Sequence, residues 1–274
     1  MLRGPEIADR EVPGVEDNMI RSLARTVKHS AKKALGIPIR RLHPDWRLLE
    51  QTGPVEGEHV VIDVGCFQGW FADCWDKWCP GAQIHAFEPT RDRYEILRKQ
   101  FAGRPNIVMN SQALGASEGK QTFYRLSNSP ASNSCLRPLP AGWERIRYDT
   151  GDVIETEVEL IRLDDYCSAN GFGDVHLIKV DVQGYEMEAF KGAVEVLKRT
   201  GYVLVETAIQ PLYENGSSFG QIVDFMTANG FDLIDLRAWH RGNRALVEAD
   251  LLFRRQAIAP ANDAEEEKLY RYLS

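Results

Sequence analysis

The stretch from residue 60 to residue 72 constrains the fold of this chain more than any other part of the sequence. It begins with a β-branched apolar run at 60–64, a pattern that is typical of a strand buried in a parallel sheet. An acid, Asp63, stands near the end of the run, and Gly65 and Gly69 follow before a segment that can continue as a helix. A strand, a glycine turn and a helix N-terminus form a cradle for a small ligand, because glycines let the backbone approach it and the helix offers free N–H groups.

A second acid at the right distance indicates which ligand this cradle holds. Residues 84–88 form another short strand that ends in Glu88, and a carboxylate there can accept both hydroxyls of a ribose. The dinucleotide fingerprint is G-x-G-x-x-G, whereas this chain has Asp63-x-Gly65-x-x-x-Gly69. The acid ahead of the turn would repel a pyrophosphate but suits an amino group. The motifs therefore favour S-adenosylmethionine, whose methionine portion carries an amino group and a carboxylate.

We therefore predict a cofactor site with a role for each part of the motif. Asp63 accepts from the amino group, directly or through water, and the turn and helix N–H groups meet the carboxylate. Cys66 is interpreted as a small residue in a tight turn rather than a reactive thiol. Adenine is expected near residues 110–113. The predicted cofactor-binding residues are Asp63, Gly65, Cys66, Phe67, Gly69, Glu88, Pro89, Asn110, Gln112, Ala113 and Asp181.

The order of elements along the chain predicts an α/β fold. Short apolar strands alternate with helical segments up to residue 206, and late strands at 231–236 and 250–254 can form a hairpin. This order indicates a mainly parallel sheet with a terminal antiparallel pair. In such sheets ligands bind beyond the carboxyl ends of the strands. Acids stand at four of these ends, so we expect one joint site formed by Asp63, Glu88, Asp181 and Glu206.

The charge pattern divides the chain into three parts. Residues 1–50 are predicted to form an N-terminal arm with a basic amphipathic helix, residues 51–257 the cofactor-binding domain, and residues 258–274 a helical tail. The basic helix is interpreted as packing on the main domain with a solvated face. Contact with an anionic substrate or a peripheral contact with a membrane surface is the alternative. The sequence leaves the oligomeric state open.

Composition excludes several classes of protein. A net charge of -7 argues against a broad affinity for nucleic acid. The chain has no apolar run of about 18 residues that could span a membrane, and its N-terminus lacks the apolar core of a secretory signal. Its five cysteines form no CxxC pair, which favours reduced thiols over a disulfide framework or a zinc site. These features together predict a cytoplasmic protein.

Two polar segments are candidates for acceptor recognition. The segment 127–152 is too long and polar for a routine connector, so it is predicted to be a substrate loop or lid, with a disordered surface excursion as the alternative. The stretch 209–217 is expected to help select the acceptor. Trp143 and Tyr213 either shape an acceptor pocket or pack in the core.

Several motifs, taken together, resemble the FkbM family of S-adenosylmethionine-dependent methyltransferases. They occur in the family's order over about residues 58–255, and the most specific is Lys-Val-Asp-Val-Gln-Gly-Tyr-Glu at 179–186. The family often has Asn at position 67 and Glu at position 183, where this chain has Phe67 and Gln183. The other matching pieces are Val-Ile-Asp-Val-Gly-Cys-Phe-Gln-Gly-Trp-Phe (61–71), Ala-Phe-Glu-Pro (86–89), Gln-Ala-Leu-Gly-Ala-Ser-Glu-Gly (112–119), Leu-Asp-Asp-Tyr (163–166), Phe-Lys-Gly-Ala (190–193), Val-Glu (205–206) and Ala-Asp-Leu-Leu-Phe-Arg (249–254).

The resemblance implies both a fold and an activity. The fold is that of the class I methyltransferases, a Rossmann-like, seven-stranded, mainly parallel sheet with an antiparallel last strand and helices on both faces. The implied activity is O-methylation of a hydroxyl on a sugar, a glycan or a natural product, so the expected partner is a small-molecule or glycan acceptor. Two other readings stay open at this point: a nicotinamide-dependent oxidoreductase on a related fold, and a non-catalytic scaffold that docks a partner through the basic helix.

Methyl transfer to an alcohol also requires a base. A positioned base contributes about 10²–10⁴-fold, and orientation of the reactants roughly 7–11 kcal/mol. Asp181, which ends a central strand, is the first candidate, and His240 in a predicted loop is the second. Glu206 is expected to orient the acceptor or to bind a cation with Asp181. Two carboxylates without a third placed ligand are a weak metal signal, so we predict no obligatory metal.

Overall fold

The computed structural model of this protein describes residues 46–53, 55, 57–240 and 246–256, without the side chains of residues 46, 239 and 240. The predicted basic helix of the N-terminal arm and the predicted helical tail lie outside the described residues. Helices are α1 (Trp46–Leu49), α2 (Trp70–Trp78), α3 (Arg91–Gln100), α4 (Pro140–Arg145), α5 (Leu163–Ala169), α6 (Glu186–Lys191), α7 (Val194–Leu197) and α8 (Phe219–Ala228). Strands are β1 (His59–Val64), β2 (Ala82–Phe87), β3 (Ile107–Asn110), β4 (Ala113–Leu114), β5 (Gly119–Leu126), β6 (Val153–Ile161), β7 (Val175–Val180), β8 (Thr200–Ala208), β9 (Phe231–His240) and β10 (Leu246–Arg255).

Seven strands form the main sheet, in the order β3-β2-β1-β7-β8-β10-β9. The five strands from β3 to β8 are parallel, while β10 runs antiparallel to both β8 and β9. The predicted seven-stranded, mainly parallel class I methyltransferase fold with an antiparallel last strand is thus confirmed. Between the central strands, Val61 of β1 lies opposite Ile84 of β2 and Leu177 of β7. None of the helices in the described ranges is long and apolar enough to cross a bilayer.

The core explains why β1 is apolar at most of its positions, on both faces. Val61 and Ile62 are fully buried and Val64 is nearly so, because other elements cover both faces of this central strand. Leu48 and Leu49, just before the boundary that we predicted at residue 51, are also buried.

A second, smaller sheet stands beside the main one. Its order is β4-β6-β5, with β5 antiparallel to β6. The sequence predicts strands at 121–125 and near 158, but alternation alone does not say which sheet a strand joins. The segment 127–152 connects β5 to β6 and is folded, with a 3₁₀ turn at Pro130–Ser132 and the helix α4. The alternative prediction of a disordered excursion is therefore wrong.

The single helix predicted for residues 185–197 is divided into α6 and α7. The break falls at Gly192, where a Cβ would lie 2.0 Å from the carbonyl oxygen of Gly115. Asp164, predicted near the cap of its own helix, accepts instead from the N–H groups of Glu195 and Val196, at 3.0 and 2.8 Å. It therefore caps α7, across a tertiary contact that the sequence pattern does not reveal.

Candidate active site

An open cavity lies at the carboxyl ends of β1, β2 and β7, as expected for an open α/β sheet. The small sheet and the segment 127–152 form part of its wall, through residues that include Phe123, Ala131 and Asn133. The structure therefore brings the segment predicted as a substrate loop to the same cavity as the cofactor motifs. The predicted site residues on the wall are Gly65, Phe67, Glu88, Pro89, Gln112, Ala113 and Asp181.

Glu88 is the most firmly held of these groups. Its carboxylate accepts from the backbone N–H groups of Phe67 (3.1 Å) and Thr90 (2.9 Å), and also from the Thr90 hydroxyl. Burial raises the pKa of Glu88 above its ordinary value, although these donors oppose the shift. A carboxylate has about four acceptor positions, and three protein donors leave it capacity for a ligand hydroxyl. The donor set thus fits the ribose of S-adenosylmethionine.

Phe67 adopts a backbone conformation that favours other residue types. Its φ of 44° lies in the left-handed region, where Asn is several-fold enriched and a bulky residue is strained. Two contacts hold it there: the N–H bond to Glu88, and the Arg93 guanidinium, which lies 4.7 Å from the ring centroid. The departure from the family pattern at this position therefore adds an aromatic wall to the cavity without removing the Glu88 contact.

The glycine turn brings β1 and β7 into backbone contact. Gly65 has a φ of 78°, and a Cβ there would lie 1.9 Å from the carbonyl oxygen of Asp181. The N–H groups of Gly65 and Cys66 both donate to the carbonyl of Phe87, at 3.1 and 3.0 Å. We expected these turn N–H groups to meet a cofactor carboxylate, but the structure commits them to the end of β2.

Four predicted cofactor residues do not line the cavity. Asp63 is fully buried, and its nearest cation is the ammonium of Lys179 at 3.5 Å. Cys66 is buried in the turn, where burial, with the Asp63 and Glu88 carboxylates, raises the pKa of its thiol well above the usual value. This environment agrees with the small-residue interpretation. The other two residues have contacts of their own: a Cβ on Gly69 would lie 2.7 Å from the Phe101 ring, and the Asn110 amide donates to the Ala86 carbonyl at 3.3 Å. Their predicted roles in cofactor binding stay predictions.

Lys179 is a site residue that the prediction missed. Its ammonium donates to the Gly65 carbonyl at 3.1 Å and lies 3.4 Å from the Asp181 carboxylate and 3.5 Å from Asp63. Burial alone would lower the pKa of Lys179. The carboxylates of Asp181 and Asp63 have the larger effect, so its pKa is raised above the ordinary value. The lysine therefore remains charged and ties the glycine turn to β7. A signal was available, because residues 179 and 181 are two apart near the end of one strand and so share a face.

Asp181 and Glu206 are linked through one side chain. The amide nitrogen of Gln183 donates to Asp181 at 3.0 Å and also to the Glu206 carboxylate. Glu206 lies behind Asp181, off the cavity wall, and burial raises its pKa well above the ordinary value, helped by Asp181, Glu248 and Asp250. Its expected role, to orient the acceptor or to bind a cation with Asp181, stays a prediction.

Three other residues were candidates on the acceptor side, namely Trp143, Tyr213 and His240. Trp143 and Tyr213 are both buried and pack edge to face at 5.8 Å, so neither lines the cavity. His240 ends β9 opposite Leu246 and so does not lie in the predicted loop. Its side chain is outside the described atoms, and its role as a base stays a prediction. In the stretch 209–217, the Ser217 N–H donates to the Gly184 carbonyl at 2.8 Å, which supports the turn that carries Gln183.

Comparison with known proteins places this chain in a family. The family model described as the methyltransferase FkbM domain matches residues 63–233 of the 274. The 2-O-methyltransferase NoeI of Sinorhizobium fredii is 28% identical, over 76% of this chain and 82% of that protein. The 31-O-demethyl-FK506 methyltransferase FkbM of Streptomyces tacrolimicus is 25% identical, over 76% and 86% respectively. The hexuronic acid methyltransferase AglP of Haloferax volcanii is 30% identical, over 58% and 59%.

These matches decide between the readings that the sequence left open. Neither the nicotinamide-dependent oxidoreductase nor the non-catalytic scaffold agrees with them, and both alternatives are wrong. The cofactor is S-adenosylmethionine, in agreement with the buried carboxylate of Glu88 at the end of β2. The chain belongs to the FkbM family of S-adenosylmethionine-dependent methyltransferases.

Proposed function

We propose that this enzyme methylates a hydroxyl oxygen of a sugar, a glycan or a related natural product, with Asp181 as the general base. The observation that carries the proposal is that Glu88 and Asp181 lie on the wall of one cavity, at the ends of β2 and β7. S-adenosylmethionine, when bound, would supply the methyl group from its sulfonium, with a neutral thioether as the leaving group. Glu88 would hold its ribose, and Asp181 would face the acceptor.

The names of the relatives support an oxygen acceptor. Two of them carry an O-methyl position in their names, namely the 2-O-methyltransferase and the 31-O-demethyl-FK506 methyltransferase, and the third acts on a hexuronic acid. The first two names state transfer to an oxygen, and an alcohol hydroxyl has low acidity. Such a group needs a base near it during transfer, and this need agrees with a carboxylate on the cavity wall.

The surroundings of Asp181 suit it to this task. Lys179 lies at one carboxylate oxygen and Gln183 donates to the other, so the side chain is fixed from two sides. A carboxylate with two such partners retains acceptor positions for the hydroxyl proton. A base that is held in one position can align the attacking oxygen, so less orientational freedom is lost when the reaction takes place.

A labelled-methyl assay tests the proposal. The enzyme is incubated with S-adenosylmethionine carrying a radioactive methyl group and with a hexuronic acid glycoside, a neutral sugar glycoside, a macrolide alcohol and a glycan extract. We expect label in an ether that survives mild base, and a loss of about 10²–10⁴-fold in Asp181→Asn. Asp174→Asn, an exposed position before β7, is the control and should retain full activity.

Two results would contradict the proposal. Label found in a base-labile ester or in an amine would exclude a hydroxyl acceptor. Transfer to an ether by Asp181→Asn at the rate of the unmodified enzyme would remove Asp181 as the base, while the family membership would stand. Calorimetry with S-adenosylhomocysteine shows in each case that the variant still binds the cofactor product.

A further inference from the structure

A second cavity lies on the segment that connects β5 to β6, and none of its lining residues lines the first cavity. Its volume is about 580 Å³, which is within the range of ligand sites in proteins. All of its lining residues come from 137–153 except Glu214. The two polar segments that we predicted to recognise the acceptor, 127–152 and 209–217, therefore meet at this second cavity.

Backbone contacts between the two segments hold the wall of the second cavity. The Glu214 N–H donates to the carbonyl of Arg137 at 2.9 Å. In α4, a Cβ on Gly142 would lie 2.1 Å from the carbonyl oxygen of Pro211, so the helix packs directly against the backbone of the other segment. The second cavity is therefore formed by the fold itself, before any ligand binds.

Three polar groups on this wall have no partner among the residues that the structure describes. Trp143 is only 4% exposed, and its indole N–H has no hydrogen-bond acceptor there. The carboxylates of Glu144 and Glu214 make no ion pair or hydrogen bond within the same part of the chain. Buried donors are almost always paired in proteins, so the indole N–H indicates an acceptor that these residues do not supply.

Arg147 occupies a position where the backbone favours glycine. It follows α4 with a φ of 55°, in the left-handed region, and the next N–H, that of Tyr148, donates to the Trp143 carbonyl at 3.1 Å. Glycine is the usual residue at such a helix end, because a Cβ is unfavourable there. Arg147 lines the second cavity, and its guanidinium forms no ion pair among the described residues. An unfavourable backbone conformation kept for an unpaired cation indicates a role in binding.

The mixture of groups on the wall selects a class of ligand. The carboxylates can accept from hydroxyls, while the Arg147 guanidinium and the indole N–H can donate to hydroxyl or ring oxygens. Tyr148 and Val153, which is 43% exposed, add apolar surface that suits the C–H face of a sugar ring. Two carboxylates beside a single unpaired cation disfavour a phosphate or another strong anion. The wall therefore fits a polyhydroxylated ligand, that is, a glycan.

We propose that the second cavity is a subsite for a glycan acceptor and holds sugar units other than the one that is methylated. The inference rests on the proposed function, in its glycan form. Cys135 lines the first cavity and Arg137 lines the second. Two residues of extended chain span at most about 7 Å, so the two walls approach each other closely at this point. An oligosaccharide is long enough to contact both cavities, whereas a monosaccharide occupies the first alone.

Glycan binding tests the proposal without methyl transfer. The full-length enzyme is applied to a printed array of neutral and uronic acid glycans, and calorimetry then gives the Kd of the strongest binder and of its terminal monosaccharide. We expect Arg147→Gly and Glu214→Gln each to weaken oligosaccharide binding about 10–100-fold and to leave monosaccharide binding unchanged. Arg91→Ala and Glu159→Gln, at exposed positions outside both cavities, are the matched controls and should bind normally.

Arg147→Gly also separates binding from folding. It removes the guanidinium and relieves the left-handed conformation, so its melting temperature should equal or exceed that of the unmodified enzyme while oligosaccharide binding falls. Equal oligosaccharide affinity in both variants and the unmodified enzyme overturns the proposal, and so does an array on which no glycan binds. Retained glycan binding without any labelled ether would instead count against the proposed O-methylation and leave the subsite standing.

Discussion

Gly65 lies where the turn after β1 contacts the end of β7. The contact is possible because residue 65 has a hydrogen atom in place of a side chain. The turn after β1 and the end of β7 are so close that any side chain at residue 65 would overlap the Asp181 carbonyl. The same contact lets Lys179 reach the Gly65 carbonyl at 3.1 Å. The absence of a Cβ at residue 65 therefore permits the short distance between the glycine turn and Asp181, the candidate base.

Gly65→Ala should therefore destabilise the protein more than an alanine substitution at another glycine whose backbone has a similar positive φ. We expect a loss of roughly 3–5 kcal/mol in the free energy of unfolding, because about 1–2 kcal/mol of left-handed strain adds to the overlap with a backbone atom. Gly171→Ala has a φ of 66° with open space around it, so it should lose only about 1–2 kcal/mol. Urea denaturation of both variants measures the difference, and equal losses would show that the close contact does not matter.

Among the elements, α7 is short and depends on a partner outside itself. Four residues cannot form a stable helix alone. The carboxylate of Asp164 accepts from two N–H groups of its first turn, and Arg162 fixes that carboxylate at 3.0 Å. Through this cap the start of α5 is attached to the chain that enters β8.

Removing the cap should destabilise the protein by an amount typical of lost helix caps. Asp164→Ala is expected to lower the free energy of unfolding by about 1–2 kcal/mol. Asp165→Ala is the matched control, because its side chain is 58% exposed and makes one ion pair with Arg162. The control should lose less than about 0.5 kcal/mol. Thermal denaturation compares the two, and a larger loss in the control would contradict the assignment of the cap.

Across the whole molecule, buried ionisable groups make stability depend on pH in opposite directions. Burial lowers the pKa of His85 and of His176 to about 4, so these histidines contribute stability that is lost as pH falls from 6.5 towards 4. Burial raises the pKa of Glu186 to about 7. Its contribution is fully present below pH 4.5 and is lost as pH rises to 7. The two effects overlap between pH 4.5 and 6.5.

Glu186→Gln separates the two effects, because the histidine contributions are common to both proteins. Between pH 4.5 and 7 the free energy of unfolding of the unmodified enzyme should fall relative to the variant, by on the order of 3 kcal/mol, and the difference should be constant above pH 7. Urea denaturation at half-unit intervals of pH measures it. A difference that does not change with pH would mean that Glu186 is already ionised in the folded state.

The sequence predicted the main sheet because its evidence is local. A buried run such as 60–64 and an acid at each strand end follow from the chain itself. The sequence did not predict which way the side chains of those acids point. Asp63, near the end of β1, points to Lys179. A sequence pattern shows where a strand ends but not on which face of the sheet a cavity opens. The small sheet and the Gln183 bridge depend on contacts between distant segments, and no periodicity reports these.

The central claim is that the cavity at the ends of β1, β2 and β7 holds S-adenosylmethionine through Glu88. Isothermal calorimetry with S-adenosylhomocysteine tests it most directly, on the unmodified enzyme, on Glu88→Ala and on Glu118→Ala, an exposed control. Loss of a hydrogen bond to a charged group costs about 1.5–3 kcal/mol, so Glu88→Ala should bind roughly 10–100-fold more weakly while the control binds normally. Equal affinity in Glu88→Ala and the unmodified enzyme would contradict the account.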